Sequence, residues 1–335
     1  MDSLASSKII ERDFGNFSPR VYLEEYYSEI QNEDKHHLYC LAKAYANVTD
    51  GSTLLEFGGG PTLYQLMSAA AKFTKTMDSL ASSKIIERDF GNFGPRVYLE
   101  EYYSEIQNED KHHLYCLAKA YANVTDGSTL LEFGGGPTLY QLMSAAAKVK
   151  EIHFADYLEV NLVEVRKWVS RSGDAFNWNN ITAIALQAEG IMPTSDAINE
   201  REAMLREKIK KFLRCDAFQK YPLGTNNDSA VQYDIVNTHF VAESITDNPD
   251  DWKFAFANIC SYVKPGGKLV MAAMKHSHAW KNGVQKFPAT YITEHDLVER
   301  LIENGFRYED IIMETFPADQ EDYKEVIFCC GIKNL

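Results

Sequence analysis

The sequence predicts an α/β sandwich with a mostly parallel sheet, preceded by a partial duplicate of its own beginning. Three observations lead to this prediction. Apolar strands alternate with helical faces along residues 77–335, a glycine-rich turn follows the first of those strands, and residues 1–72 recur at 77–148. Alternating strands and helices are typical of a parallel sheet covered by helices.

The repeat has an offset of 76 residues, and its two copies of 72 positions differ only where Ser18 corresponds to Gly94. A solenoid would need three or more diverged units, so the repeat indicates a recent tandem duplication or a gene-prediction artefact. Each copy holds only one predicted strand, which cannot bury both of its faces alone. We therefore expect residues 1–76 to be a partial tandem duplicate and residues 77–335 to be the complete domain.

Either copy could supply the first strand of the sheet. Use of the first copy would loop out about 77 residues, at a cost in closure entropy that grows only slowly with loop length, so direct continuity favours the second copy. Because this margin is modest, the sequence leaves both a monomer and a swapped dimer open.

Helical periodicity predicts one helix over 95–106 and a second over 110–122, with Asp110 as the N-cap of the second. The helix over 195–212 is heavily charged, and we assign its polar residues to a solvent-exposed face. The remaining pattern predicts, in order, strand 129–133, glycine turn 134–138, helix 139–146, strand 151–155, helix 161–169, strand 233–237, helix 252–263, strand 268–273 and strand 325–330.

Composition excludes several classes of partner. The 335 residues carry 34 basic and 48 acidic side chains, a formal net charge of −14. This charge repels nucleic-acid phosphates and anionic lipid headgroups, so neither is expected as a partner. No run approaches 18 apolar residues and the first residues lack the apolar core of a signal peptide, so we expect a cytoplasmic protein. The six cysteines form no Cys-x-x-Cys pair, which favours reduced thiols over a metal site.

Gly134, Gly135 and Gly136 form the turn after the first strand of the complete domain. In an open α/β sheet, ligands bind beyond the carboxyl ends of the strands, and a turn without Cβ atoms lets the backbone approach them. Asp156 ends the next strand 22 residues after Gly134, the spacing of a carboxylate that binds two ribose hydroxyls. The alternatives are a merely tight turn and a helix N-cap. Together the two features predict a nucleoside-bearing cofactor, either a nicotinamide dinucleotide or S-adenosylmethionine.

Several stretches of the chain also match a known family. They are 93–103 (FGPRVYLEEYY), 131–142 (LEFGGGPTLYQL), 155–157 (ADY) with 161–162 (NL), 213–217 (LRCDA) with 222–224 (PLG), and 264–267 (KPGG). On these motifs, residues 86–335 resemble the small-molecule methyltransferases that include nicotinamide, phenylethanolamine, indolethylamine and thioether methyltransferases. The resemblance implies a Rossmann-like sandwich with an N-terminal helical lid, S-adenosyl-L-methionine as cofactor, and methyl transfer to the nitrogen of a small amine or N-heteroaromatic metabolite.

The resemblance also implies cofactor contacts. Tyrosines matching Tyr98 and Tyr103 cover the cofactor in the family, Asp156 matches the ribose contact, and Asp216 with Ala217 matches the adenine contact. The remaining implied cofactor residues are Gly134, Gly135, Gly136, Thr138, Tyr140, Tyr157, Asn161 and His239.

On the acceptor side, Glu243 matches the acidic residue that faces the acceptor amine in the phenylethanolamine branch. A carboxylate there can bind a cationic amine and relay its proton, so Glu243 is a candidate catalytic residue. Tyr98, which matches a tyrosine that covers the cofactor, is the second candidate. Trp280 matches a substrate-stacking tyrosine, which favours a flat aromatic or cationic acceptor. Ala273 replaces a second acidic position, which disfavours nicotinamide. The other candidate acceptor contacts are Phe240 and Glu321.

Two other functions remain open at this stage. A nicotinamide-dinucleotide oxidoreductase is disfavoured because the Gly-Gly-Gly-Pro-Thr turn lacks the third glycine of the dinucleotide fingerprint. An inactive or regulatory paralogue would use the repeat to block or swap the site.

Overall fold

A seven-stranded sheet forms the centre of the fold. The computed structural model describes residues 90–224 and 231–335, which belong to one unit, Ser79–Leu335. The predictions made for residues 1–76 lie outside the described residues.

The strands are β1 (Ser128–Phe133), β2 (Val149–Asp156), β3 (Ile209–Arg214), β4 (Tyr233–His239), β5 (Val263–Lys275), β6 (Ala279–Asn282), β7 (Gln285–Pro288), β8 (Ile312–Pro317) and β9 (Glu325–Ile332). Their order in the main sheet is β3-β2-β1-β4-β5-β9-β8, and β6 and β7 form a separate hairpin. The five strands β1 to β5 are parallel to one another, whereas β9 is antiparallel to both β5 and β8. From β1 the chain adds β2 and β3 on one side and then returns to add β4 and β5 on the other side. Open α/β sheets bind ligands at such a switch point, here between β1 and β4.

The helices are α1 (Pro95–Tyr103), α2 (Asn108–Tyr121), α3 (Glu159–Val169), α4 (Asn179–Ala188), α5 (Ser195–Lys208), α6 (Pro249–Ser261) and α7 (Glu294–Glu303). Side chains alternate between the two faces of a strand, so neighbouring Leu130 and Leu131 enter different apolar clusters. Leu130 packs with residues of α2 to α5, and Leu131 packs with residues of α6 and α7. Helices therefore cover both faces, and the α/β prediction with a mostly parallel sheet is confirmed.

Three local predictions were wrong. The charged helix ends at Lys208 rather than at 212, because the next residues pair with β2 as β3, with Ile152 opposite Ile209. The helix predicted over 139–146 is two short 3₁₀ turns. Gln107, not Asp110, is the N-cap of α2, and Asp110 lies in the first turn, where its carboxylate accepts the Gln107 N–H at 2.8 Å.

Within the described ranges, no helix is both long and apolar enough to cross a bilayer. The five cysteines in those ranges are free and buried, as expected for reduced thiols.

Candidate active site

The glycine turn after β1 is shaped by close packing on two sides. The Gly134 and Gly135 N–H groups both donate to the Ala155 carbonyl at the end of β2, at 2.9 and 3.1 Å. Gly134 has a φ of +71°, and a Cβ there would lie 2.6 Å from Val241 Cγ2. A Cβ on Gly135 would lie 2.4 Å from the Phe154 ring. Both positions therefore require glycine, whereas a Cβ on Gly136 would meet no atom within 4 Å.

Asp156, the last residue of β2, faces this turn. Its Oδ2 accepts the Gly136 N–H at 2.8 Å, and its Oδ1 accepts the Leu158 N–H at 2.8 Å and the Asn161 Nδ2–H at 2.9 Å. Burial raises the pKa of this carboxyl, and the three donors and Arg214 oppose that shift. The carboxylate is thus held at the turn, as expected from the sequence. It is not the N-cap of α3, because that position is Leu158 and no side chain in the described ranges caps the helix.

A cleft with an empty volume of about 840 Å³ opens above the turn, and we call it the glycine cleft. Asn161 lies on its wall, and the Asn161 Oδ1 is buried without a hydrogen-bond partner among the described residues. Beside it stands the Asp156 carboxylate, so the wall offers two neighbouring acceptors for hydroxyl donors. A buried acceptor without a partner is costly, and a ribose diol would satisfy it. The residues of the cleft fit a nucleoside-bearing cofactor.

Aromatic rings form the opposite wall of the glycine cleft. Tyr98 and Tyr103 project into it from α1, and Trp280 projects from the β6–β7 hairpin. The Tyr103 ring stacks on Tyr140 with centroids 5.2 Å apart. Burial raises the pKa of Tyr98 to about 12, so its phenol stays protonated near neutral pH and can donate a hydrogen bond. A tyrosine-rich helix therefore forms one wall of the cleft.

His239 ends β4 on the floor of the cleft and belongs to a chain of buried hydrogen bonds. Its Nδ1 lies 3.0 Å from His113 Nε2, and its Nε2 lies 3.0 Å from Asn237 Oδ1. Asn237 in turn donates from Nδ2 to Glu132 Oε2 at 2.6 Å. Burial holds the pKa of His239 well below its usual range and lowers that of His113 to about 3. Both rings are therefore neutral near pH 7, and the hydrogen bonds fix the orientation of the His239 ring.

Phe240, the next residue, has a φ of +55°, an uncommon conformation for a bulky side chain. Such backbone strain is found at functional sites more than elsewhere. The Phe240 ring lines the glycine cleft and also a second cavity of about 570 Å³. We call this space the second cavity.

The two spaces share a wall of six residues, namely Tyr98, Tyr103, Tyr140, Phe240, Ser244 and Trp280. The second cavity is otherwise lined by Tyr102, Glu109, Asp110, His113, Met274, Gln320 and Tyr323. Glu109 and His113 were not predicted as site residues. Of the acidic residues at the start of α2, only Asp110 has a role predicted from the sequence, that of an N-cap.

Nine predicted cofactor residues line the glycine cleft besides Tyr98, Tyr103 and Asp156, namely Gly134, Gly135, Gly136, Thr138, Tyr140, Tyr157, Asn161, Ala217 and His239. Phe240, predicted on the acceptor side, also lines it. Asp216 does not line the cleft, and its Oδ1 accepts the Phe218 N–H at 2.9 Å. The adenine contact implied for Asp216 stays a prediction.

Three residues predicted on the acceptor side line neither space. Ala273 is buried in β5 opposite Ile327. Glu321 is 88% exposed and its Oε2 lies 3.0 Å from Lys281 Nζ. Glu243 is 1% exposed and its Oε1 accepts the Met274 N–H at 3.0 Å. Direct contact between these side chains and an acceptor stays a prediction, and the structure gives Glu243 a contact with β5 instead.

Replacement of Glu243 by glutamine tests this buried position. Burial raises the pKa of Glu243 to about 7, so its contribution to stability is present below about pH 4.5 and is lost as the pH rises through about 7. Between pH 5 and pH 8 the wild-type free energy of unfolding should fall by about 2 kcal/mol more than that of Glu243→Gln. Urea unfolding at the two pH values measures the difference. Equal pH dependence would mean that the carboxyl faces solvent or a ligand.

The sequence is also similar to known proteins. A sequence profile described as the NNMT/PNMT/TEMT family matches residues 8–79 and 84–333. The chain belongs to this family. Its cofactor is S-adenosyl-L-methionine, and it is a methyltransferase.

Individual relatives are similar over most of their length. Phenylethanolamine N-methyltransferase of Macaca mulatta is 27% identical over 268 residues, covering 76% of this chain and 94% of the relative. Nicotinamide N-methyltransferase of Sus scrofa is 29% identical over 251 residues, 72% of this chain and 93% of the relative. Indolethylamine N-methyltransferase of Mus musculus is 31% identical over 220 residues, 64% of this chain and 81% of the relative.

Proposed function

We propose that this member of the NNMT/PNMT/TEMT family moves a methyl group to the nitrogen of a small amine or N-heteroaromatic metabolite. The observation that carries the proposal is the shared wall of the glycine cleft and the second cavity. Because the same six residues line both spaces, a cofactor in the glycine cleft and an acceptor in the second cavity would lie next to each other. The names of three relatives, all N-methyltransferases, support nitrogen as the acceptor atom.

The cofactor residues divide into two groups. Asp156 and Asn161 would accept hydrogen bonds from the ribose hydroxyls, and the glycine turn would leave room for the rest of the cofactor. Tyr98, Tyr103 and Trp280 exclude water on the opposite side. When bound, S-adenosylmethionine supplies a methyl group activated by a sulfonium.

With the cofactor bound, the acceptor nitrogen would take the methyl group as the carbon–sulfur bond breaks, and sulfur would keep the electron pair of that bond. A covalent enzyme nucleophile is not required. Holding two reactants in line contributes roughly 7–11 kcal/mol in favourable cases. The chain's part is therefore to align the acceptor and to keep the two spaces dry.

Calorimetry with S-adenosylhomocysteine on the full chain tests the cofactor site. We expect saturable binding at micromolar concentration, and no competition by NAD. In the same preparation, a metabolite extract incubated with S-adenosylmethionine carrying a deuterated methyl group should yield products heavier by that group, detected by mass spectrometry. Absence of S-adenosylhomocysteine binding together with saturable binding of NAD would favour an oxidoreductase.

We further propose that residues 77–335 form the complete enzyme and that residues 1–76 are a partial duplicate of its lid, first strand and first helical segment. The support is that β1, which lies inside the sheet, is Ser128–Phe133 of the second copy. A cytoplasmic location and a monomer or swapped dimer stay predictions, to be checked by cell fractionation and by light scattering.

A further inference from the structure

A buried carboxyl group lines the second cavity and has no role in the function proposed so far. Glu109 lies in the first turn of α2 and is 7% exposed. Its Oε1 accepts the Tyr323 hydroxyl at 2.9 Å, and its Oε2 accepts the Gln320 side-chain amide at 3.4 Å. Both donors are neutral, so the carboxyl is oriented without being neutralised.

The described side chains around the second cavity provide no positive charge to balance Glu109. Among the described residues that line it, none is a lysine or an arginine, and its histidine, His113, is kept neutral by burial. The other acidic residue, Asp110, already accepts the Gln107 N–H as part of the cap of α2. A buried carboxylate without a counter-ion is unfavourable, and a cationic ligand beside Glu109 would remove that cost.

The walls of the cavity suit an ammonium group on an apolar body. Tyr98, Tyr102 and Trp280 present aromatic rings to the space, and Met274 adds an apolar side chain. Aromatic faces attract ammonium groups and pack against flat or apolar bodies. Glu109 is the buried acidic side chain of this wall, whereas the Glu243 carboxyl binds the backbone of β5.

We propose that Glu109 selects a protonated amine as the acceptor and takes the proton that the amine must lose before methyl transfer. This inference rests on the proposed function, and it narrows the acceptor to amines that are ammonium ions in water, against neutral N-heteroaromatics.

The proton balance of the step is simple. The ammonium donates a hydrogen bond to the Glu109 carboxylate, and its proton moves to the carboxylate oxygen. The products are a neutral carboxyl and an amine whose lone pair is free to bond the methyl carbon. Burial and the nearby Asp110 raise the pKa of Glu109 to about 7, so the proton can be released to water near neutral pH.

Calorimetry on the full chain saturated with S-adenosylhomocysteine tests acceptor selection without turnover. The probes are 2-phenylethylamine and tryptamine, each paired with its alcohol counterpart, 2-phenylethanol and tryptophol. We expect both amines to bind more tightly than their alcohols. Glu109→Gln should weaken amine binding by about 10- to 100-fold, as expected for loss of a hydrogen bond to a charged group, and leave alcohol binding within about twofold.

The duplicate provides a matched control, because Glu33 is the sequence equivalent of Glu109 in the first copy. Glu33→Gln should leave the affinity of every probe unchanged. Unaltered S-adenosylhomocysteine affinity in Glu109→Gln would show that the variant is folded. Asp110→Asn should affect the amines less than Glu109→Gln does.

The outcomes separate this inference from the proposed function. If the wild type does not bind S-adenosylhomocysteine, the proposed function fails. If it does, the inference is overturned when neither amine binds more tightly than its alcohol, when Glu109→Gln weakens amine and alcohol equally or neither of them, or when Glu33→Gln alone weakens the amines.

Discussion

Asp156→Ala should abolish measurable binding of S-adenosylhomocysteine at micromolar concentration, a loss of at least about 100-fold. Two effects act together. The variant loses the charged acceptor for the ribose hydroxyls, and hydrogen bonds to charged groups contribute roughly 1.5–3 kcal/mol each. It also releases the Gly136 and Leu158 N–H groups and the Asn161 amide, which Asp156 now holds. Isothermal calorimetry on the full chain measures the loss.

Two further variants make this result specific. Asp126→Ala removes an exposed carboxylate in the segment before β1 and should bind the ligand as the wild type does. Asp156→Asn keeps one acceptor oxygen and should lie between the wild type and the alanine variant. If Asp156→Ala bound S-adenosylhomocysteine with wild-type affinity, the assignment of the glycine cleft to the cofactor would be wrong.

Gly134→Ala should have the second largest effect, lowering S-adenosylhomocysteine affinity and turnover by more than about tenfold. Alanine at a φ of +71° costs roughly 1–2 kcal/mol in backbone conformation alone, and its Cβ would overlap Val241 Cγ2 at 2.6 Å. Relief of that overlap must move either the turn or the segment after β4, and both line the glycine cleft. Calorimetry and initial rates of methyl transfer are the measurements.

The equivalent substitution in the duplicate is the control for Gly134→Ala. Gly58 occupies the position of Gly134 in the first copy. If the second copy completes the enzyme, Gly58→Ala should leave affinity and turnover unchanged. A large loss in Gly58→Ala with none in Gly134→Ala would instead assign the first strand and its turn to residues 1–76. Equal partial losses would indicate that both copies are used, as in a swapped dimer.

Much of the fold was predictable because its signals are local. The apolar strand at β1, the glycines after it and Asp156 at the end of β2 lie within 29 residues of one another, from Ser128 to Asp156. Their spacing predicts a nucleoside site at these strand ends, and the structure shows that Asp156 and the glycines line one cleft. The tyrosines of α1 needed the family resemblance, because a tyrosine on an amphipathic helix is equally typical of a core.

The errors came where long-range pairing overrides local preference. Residues 209–212 continue a strongly helical sequence, yet they form β3, because backbone hydrogen bonding to β2 outweighs helix propensity of at most about 1 kcal/mol per residue. At the site, the acceptor contact of Glu243 stays a prediction, and the structure adds a partner that the sequence did not indicate. Its position in the sequence matched an acceptor carboxylate, and the packing of β4 against β5 turns its Oε1 to the Met274 N–H.

The sequence by itself determined the sheet type, the glycine turn with its acidic partner, the cofactor class through the family motifs, and the presence of a near-identical duplicate. Only the tertiary structure decided which carboxyl groups face the second cavity. Glu109 reaches it from α2, and Tyr323, which orients Glu109, is 214 residues away along the chain. The orientation of a buried side chain depends on partners brought together by folding, and neither spacing nor residue type at one position records those partners.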